Sequence, residues 1–210
     1  MERILSLLIG YLFGCILTAE IVSHHYTGKP IREIGSKNPG MANVMSNVGK
    51  VPGALVLIGD IVKTGLAIII SYLLFSDAVG FVCVHYAGIG AILGHNFPFW
   101  RKFHGGKGVT VTCTWIVMGF GIWGILCDLT GAVTVFLTGW LPLAAVVIGL
   151  VSIPTAFLTS GTETGLLAIF ACALMFSRHW HGLRRIIRGE EVPHLKLIGR
   201  KSHKDEEKKS

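Results

Sequence analysis

Apolar residues fall in long blocks along this chain rather than in an alternating pattern. Residues 4–22, 51–75 and 79–97 are apolar stretches, and 108–176 is almost unbroken. A hydrocarbon layer about 30 Å thick is crossed by roughly 20 apolar helical residues. Each of the first three blocks therefore predicts one spanning helix, and the last has room for three or four. Its breaks are weak: Gly119–Gly121, Asp128, Gly139–Pro142 and Thr159–Glu163. The segments between blocks are polar and unequal in charge. Lys29, Arg32, Lys37 and Lys50 lie in 23–50, Arg101, Lys102 and Lys107 in 95–108, and the stretch 178–210 is dense in lysine and arginine. The short connection 76–78 carries only Asp77, and 159–164 only Glu163. Basic loops stay on the cytoplasmic side. The N-terminus is then outside, the C-terminus inside, and the number of spans odd.

The predicted fold is an all-α polytopic integral membrane protein with about seven transmembrane helices. Five remain possible, with 109–127 as one span ending at Asp128. With seven, Asp128 sits inside a helix, where a carboxylate needs a partner or a water-filled cavity. Residues 1–195 are expected to form a single transmembrane domain, and 196–210 a charged, disordered cytoplasmic tail. Only Arg3 precedes the first apolar run and Glu2 offsets it, so that run reads as an uncleaved first helix.

Composition narrows the class further. Of 210 residues, 51% are hydrophobic and 15% charged, with mean hydropathy +0.62 and net charge +7. That excludes a disordered chain, and the apolar segments are too long and too many for a soluble core. Cys15, Cys83, Cys113, Cys127 and Cys172 all lie in apolar stretches with no CxxC pair, so they read as small buried hydrophobes. His24, His25, His194 and His203 have no metal-ligand spacing, and neither HExxH nor a Gly-x-Ser-x-Gly elbow occurs. No metal or cofactor is expected.

The polar chemistry gathers in three segments assigned to one membrane face. The first runs from Ile34 to Val44, the second from Gly94 to Gly108 and the third from Ser177 to Glu190. Gly105-Gly106-Lys107-Gly108 suits phosphate: glycines allow close backbone approach, a helix N-terminus follows, and Lys107 supplies charge. It is not a Walker A loop, because no Ser or Thr follows the lysine. Ser36, Asn38, Gly40 and Asn43 read either as a second anion cradle or as the capped start of a helix. Arg184 and Arg188 read as headgroup anchors. His179 can exchange a proton near neutral pH. Asp60 and Lys63 share a helix face, as a structural ion pair or as support for the site.

These three segments together resemble the bacterial membrane glycerol-3-phosphate acyltransferases that use acyl phosphate, the PlsY type. The resemblance rests on Gly35-Ser36-Lys37-Asn38-Pro39-Gly40-Met41-Ala42-Asn43-Val44, on Gly94-His95 through Phe103-His104-Gly105-Gly106-Lys107-Gly108-Val109, and on Arg178-His179 with Gly189-Glu190. It covers roughly residues 4–191. It implies seven spans in the bacterial inner membrane and a site on the cytoplasmic face. It implies transfer of an acyl chain from acyl phosphate to the 1-hydroxyl of glycerol 3-phosphate, giving lysophosphatidic acid and phosphate, the first step of phospholipid synthesis. It further implies Ser36, Lys107 and His179 as catalytic residues. Asn38, Gly40, Asn43, His95, Gly105, Gly106, Gly108 and Arg185 are the expected substrate-binding set. The expected partners are the two substrates and membrane lipids, with a monomeric protein and no nucleic acid.

The chain departs from the family pattern in several places. Ser46 and Gly139 stand where arginines are usual, Pro142 where a serine is, and Gly182 where an asparagine is. Those losses leave room for an acyltransferase with a changed acceptor, or for a non-catalytic lipid- or phosphate-binding membrane protein. A transporter fits less well, because the polar groups gather on one face.

Overall fold

A computed structural model describes residues 1–191 and 193, so the expected tail at 196–210 lies outside the described residues. Among the described residues the secondary structure is helical, without strands. The elements are α1 (Glu2–Gly14), α2 (Thr18–Thr27), α3 (Met41–Asn47), α4 (Lys50–Val79), α5 (Val82–Asn96), α6 (Val109–Phe120), α7 (Ile122–Thr138) and α8 (Leu141–Ile187). Single turns of 3₁₀ helix at Ile31–Glu33 and Phe99–Arg101 shape the loops before α3 and after α5.

Three stretches are long and apolar enough to cross a membrane: Glu2–Thr27, Lys50–Val79 and Leu141–Ile187. Glycines supply the breaks. Gly121 and Gly139 terminate α6 and α7 at φ 59° and 75°, in the left-handed half of backbone space that other residues avoid. Gly161, at φ 82°, breaks α8 into arms 141–160 and 162–187. The turns expected near Gly119–Gly121, Gly139–Pro142 and Ser160 therefore fall at or beside a glycine in each case. Asp128 lies well within α7, next to the Cys113 thiol of α6, and does not mark a loop.

The first apolar run is not one straight helix. It breaks at Cys15–Leu17, where Leu17 turns extended (φ −86°, ψ 92°) before α2 begins. This freed backbone is caught by side chains from elsewhere, as described below.

Helix α5 forms the centre. It is buried along nearly its whole length, against α1, α4, α6 and α8. Large apolar side chains such as Leu8, Leu12, Ile58, Leu66, Leu73 and Phe136 face outward instead, as a lipid-facing surface requires. The closest packing is between α1 and α5, where Gly10 and Gly14 meet Ala87 and Ala91, and Gly90 and Gly94 meet the Leu7 and Tyr11 carbonyls. Small residues at four-residue spacing let two backbones touch in an apolar medium. A Cβ on Gly90 would collide with the Leu7 carbonyl. Gly90→Ala is expected to lower the melting temperature in detergent, with an overpacking cost of about 1–3 kcal/mol. An unchanged melting temperature would contradict this packing.

At the end of the bundle away from the Asn96 end of α5, Arg3 grips Glu163 with Nε at 2.6 Å and Nη2 at 3.0 Å, and the Tyr86 hydroxyl donates to the same carboxylate at 2.8 Å. The contact ties α1, α5 and the break of α8 together. It is exposed and screened by solvent, so it orients these elements more than it stabilises them.

Candidate functional site

The opposite end of the bundle gathers the three polar segments. The loop 97–108 leaves α5 and folds straight back over it. The Gly105 N–H donates to the Asn96 carbonyl and the Gly106 N–H to the His95 carbonyl, each at 3.0 Å. These two amides are therefore used inside the loop and do not form an anion cradle. The glycines serve by lacking side chains. A Cβ on Gly105 would lie 2.6 Å from the Pro98 ring, and one on Gly106 would strike the His95 ring. Gly108, at φ 77°, starts α6 with Asn96 Oδ1 pressed beneath it.

Arg178, from the end of α8, clamps this loop from above. Its Nη2 donates to the Gly105 and Gly106 carbonyls at 3.1 and 2.9 Å, its Nε to Gly106 at 3.2 Å, and its guanidinium lies over the Phe97 ring. Lys107 projects beside it, half-buried. Burial pushes the Lys107 ammonium below the ordinary lysine range; Glu191 opposes this, and Arg178 and Arg185 reinforce it.

The first segment is organised by Asn43. Its Oδ1 accepts the Ser36 N–H and an Asn47 amide hydrogen, each at 2.9 Å, and its Nδ2 donates to the Ile34 and Asn38 carbonyls at 3.0 Å. Asn43 is buried, and its hydrogen-bonding positions are filled within the loop. The sequence places it among the substrate-binding residues, and here its amide is engaged in holding the loop. Gly40 is the extended residue that starts α3. Ser36 and Lys37 are exposed and Asn38 is half-buried.

Between these loops lies a cleft of about 780 Å³. Ser36, Asn38, Gly105 and Lys107 of the expected set line it. So do Arg32, Lys37, Arg101, Lys102 and Arg178, against one carboxylate, Glu20, which Arg101 holds at 3.2 Å. Such an excess of cations favours anions electrostatically. An apolar groove of about 380 Å³ adjoins the cleft, lined by Leu12, Ile16, Ile21 and Phe99. Glu20 and Trp100 line both spaces, and the Trp100 indole is anchored on the Cys15 carbonyl at 2.8 Å.

The other expected residues stand back from this cleft. His179 is buried behind Arg178 and Lys107, and its Nδ1 lies 2.9 Å from the Met175 carbonyl. A carbonyl only accepts, so Nδ1 carries the proton and Nε2 keeps its lone pair. His95 is buried under the loop, and Gly106 and Gly108 are buried within it. Arg185 is exposed and paired with Glu191 at 3.0 Å. The sequence offers Arg178 only within the Arg178-His179 motif and Arg32 and Arg101 only as loop charges, and it gives no signal for Glu20 or Trp100 as site residues. The arginines look there like membrane anchors; only Arg178, beside His179, carried a signal.

Two of the departures from the family pattern meet in space. A Cβ on Gly182 would lie 2.6 Å from Cγ of Pro142, so the two positions form one contact between the arms of α8. Gly139 is the left-handed cap of α7, a conformation that disfavours any residue carrying a Cβ.

The glycerol-3-phosphate acyltransferase family model matches residues 4–189. Glycerol-3-phosphate acyltransferase 1 of Lactobacillus johnsonii is 38% identical over 175 residues, covering 83% of this chain and 84% of that one. The glycerol-3-phosphate acyltransferase of Photobacterium profundum is 32% identical over 203 residues, covering 95% and 97%. The fold is similar to the crystal structure of PlsY, an integral membrane glycerol 3-phosphate acyltransferase, in its glycerol 3-phosphate form. The TM-score is 0.82 at 23% identity, covering 94% of this chain and 99% of that one. The lysophosphatidic acid form gives 0.80 at 22% identity with the same coverage. The chain has three stretches long and apolar enough to cross a membrane, and it belongs to the glycerol-3-phosphate acyltransferase family.

Proposed function

We propose that the cleft transfers an acyl chain from acyl phosphate to the 1-hydroxyl of glycerol 3-phosphate, giving lysophosphatidic acid and phosphate. The observation that carries this reading is the junction of a cationic cleft with an apolar groove at Trp100 and Glu20. Both substrates bring phosphate, and one also brings a lipid tail. The groove takes the acyl chain, and the cleft takes the two phosphate groups. The hydroxyl oxygen attacks the acyl carbonyl carbon, the carbon–oxygen bond to phosphate breaks, and phosphate leaves. A mixed anhydride is already activated, so the site has mainly to orient the reactants and stabilise developing charge.

Lys107 stabilises the phosphate being released, with Arg178 beside it. The Ser36 hydroxyl and the Asn38 amide offer hydrogen bonds from the facing loop, which Asn43 and Gly40 keep in shape. His179 Nε2 receives the hydroxyl proton, by direct approach or through water. Arg185 adds charge at the rim.

The same reading makes the bundle seven spans in the inner membrane, with the N-terminus outside and the site at the cytoplasmic surface. The basic segments 23–50 and 95–108 support this, because both carry residues that line the cleft. The protein acts as a monomer among membrane lipids.

The test is product identity. Purified protein in phospholipid vesicles, given palmitoyl phosphate and glycerol 3-phosphate, is expected to form 1-palmitoyl glycerol 3-phosphate by mass spectrometry and NMR. Faster acylation of another hydroxyl compound in a competition panel would overturn the acceptor assignment. The pH profile gives a second check. With its pKa lowered, Lys107 loses its charge as pH rises, earlier than an exposed lysine would. KM for glycerol 3-phosphate is expected to climb on the alkaline side. Lys107→Arg, which stays charged, is expected to move that limb to higher pH; a limb that does not move contradicts the role of Lys107.

A further inference from the structure

Beneath the glycine loop runs a chain of buried polar side chains that does not line the cleft. Asp60 and Lys63 lie one turn apart on α4, and both are almost fully buried. Lys63 Nζ is 2.7 Å from Asp60 Oδ1, 2.6 Å from the Ile16 carbonyl and 3.0 Å from His95 Nδ1, with the Gly14 carbonyl farther off at 3.4 Å. The Thr18 hydroxyl donates to Asp60 Oδ1 at 2.8 Å.

Donor counting fixes the proton on the ring. An ammonium has three hydrogens and no lone pair. Its three short contacts are the Ile16 carbonyl, the Asp60 carboxylate and His95 Nδ1. Held as an ammonium by the Asp60 carboxylate, Lys63 donates to Nδ1, and His95 then carries its proton on Nε2. That edge of the ring faces Gly106, at the point where a Cβ would sit, and the Pro39 carbonyl lies 3.0 Å from the same point. One ammonium thus connects the break between α1 and α2, the body of α4, the end of α5 and the underside of the loop. Cys15 and Ile16 of that break also line the apolar groove. Burying two charges is expensive, and stability alone is usually served as well by apolar side chains.

We infer that Asp60, Lys63 and His95 are a positioning unit for acyl transfer: Lys63 sets the His95 ring with Nε2–H toward Gly106, so that the loop carries Lys107 at the right place, and the same ammonium holds the bend that walls the apolar groove. The unit rests on the acyl-transfer reading but touches neither substrate. Misplacing a reacting group by about 1 Å can lower rate by about a hundredfold.

The decisive variant is the double substitution Asp60→Leu with Lys63→Met, which removes both charges together and leaves no orphaned ion. Its melting temperature is expected to match the wild type, while kcat/KM for acyl transfer falls by about tenfold to a hundredfold. A folded double variant with wild-type kcat/KM overturns the proposal. A second measurement needs no variant. Gly94-His95 is the sole Gly-His step in the sequence, so carbonyl-13C glycine with 15N histidine singles out His95 by NMR. The expected signature near about pH 7 is a neutral ring protonated at Nε2. A ring protonated at Nδ1, or a charged one, overturns the proposal even if the double variant does not fold. If the wild type itself performs no acyl transfer, the functional reading fails, and the ring tautomer still decides for or against the unit.

Discussion

Lys107→Ala is expected to lower kcat/KM for acyl transfer by about a hundredfold to a thousandfold, the range seen when one group aimed at developing charge is removed. Of the cleft's cations, Lys107 is the one set between the anchored glycine loop and the start of α6. Arg101 is engaged by Glu20 and Arg178 by the loop carbonyls, so neither is free to replace it. Lys37 lines the same cleft but on the facing loop, exposed. Lys107→Arg keeps the charge but exchanges a compact ammonium for a planar fork, and is expected to retain only part of the rate. Steady-state assays in vesicles, paired with melting curves to show that both variants fold, decide this. Alanine-variant activity within about threefold of wild type would contradict the prediction.

Gly106→Ala is expected to lose about a hundredfold in rate for a purely steric reason. A methyl group at that position would enter the space of His95 Nε2 and lie 3.0 Å from the Pro39 carbonyl. The ring cannot retreat, because Lys63 holds its other nitrogen. The loop must then lift, and Lys107 moves with it. Gly106 is thus where the first and second polar segments touch through backbone and ring. The bundle itself is expected to keep its melting temperature, since the loop lies outside the α1–α5 contact. A Gly106→Ala variant with wild-type kinetics would mean that the loop geometry does not govern Lys107.

How much of this was legible differs from element to element. The turns at Gly121, Gly139 and Gly161 could be read because glycine is the one residue whose positive φ carries no steric cost. The break at Cys15–Leu17 could not. The run from Ile4 to Leu17 contains no charge and no proline to mark a bend, and what stabilises the bend arrives from afar: Lys63 on α4, and the Trp100 indole. Asp128 is ambiguous in the sequence because a lone carboxylate in an apolar run fits a loop or a buried position equally; it lies within α7, near Cys113, with Oδ1 buried and unpaired.

In the site, Ser36, Asn38, Gly105 and Lys107 could be found as motif residues, and all four line the cleft. Asn43 and the Gly105 and Gly106 amides were read as donors to a ligand, yet they complete hydrogen bonds within their own loops. Spacing reveals that a segment is polar, but not whether its hydrogens point inward. Arg32 and Arg101 are hidden by the positive-inside pattern, which supplies arginines at this face whether or not they serve a site, and Arg178 is visible only as the motif neighbour of His179. Pro142 and Gly182 read as two separate losses from the family pattern. They pack on each other, so the change is one joint substitution.

Coupled phosphate release tests acyl transfer at this cleft most directly. Purified protein in phospholipid vesicles would be given palmitoyl phosphate alone, glycerol 3-phosphate alone, and both together. The expected result is phosphate release that requires both substrates, matches lysophosphatidic acid formation one for one, and disappears in Lys107→Ala. Absence of release from folded wild-type protein supplied with both substrates, or release that persists undiminished without glycerol 3-phosphate, would contradict acyl transfer at this cleft.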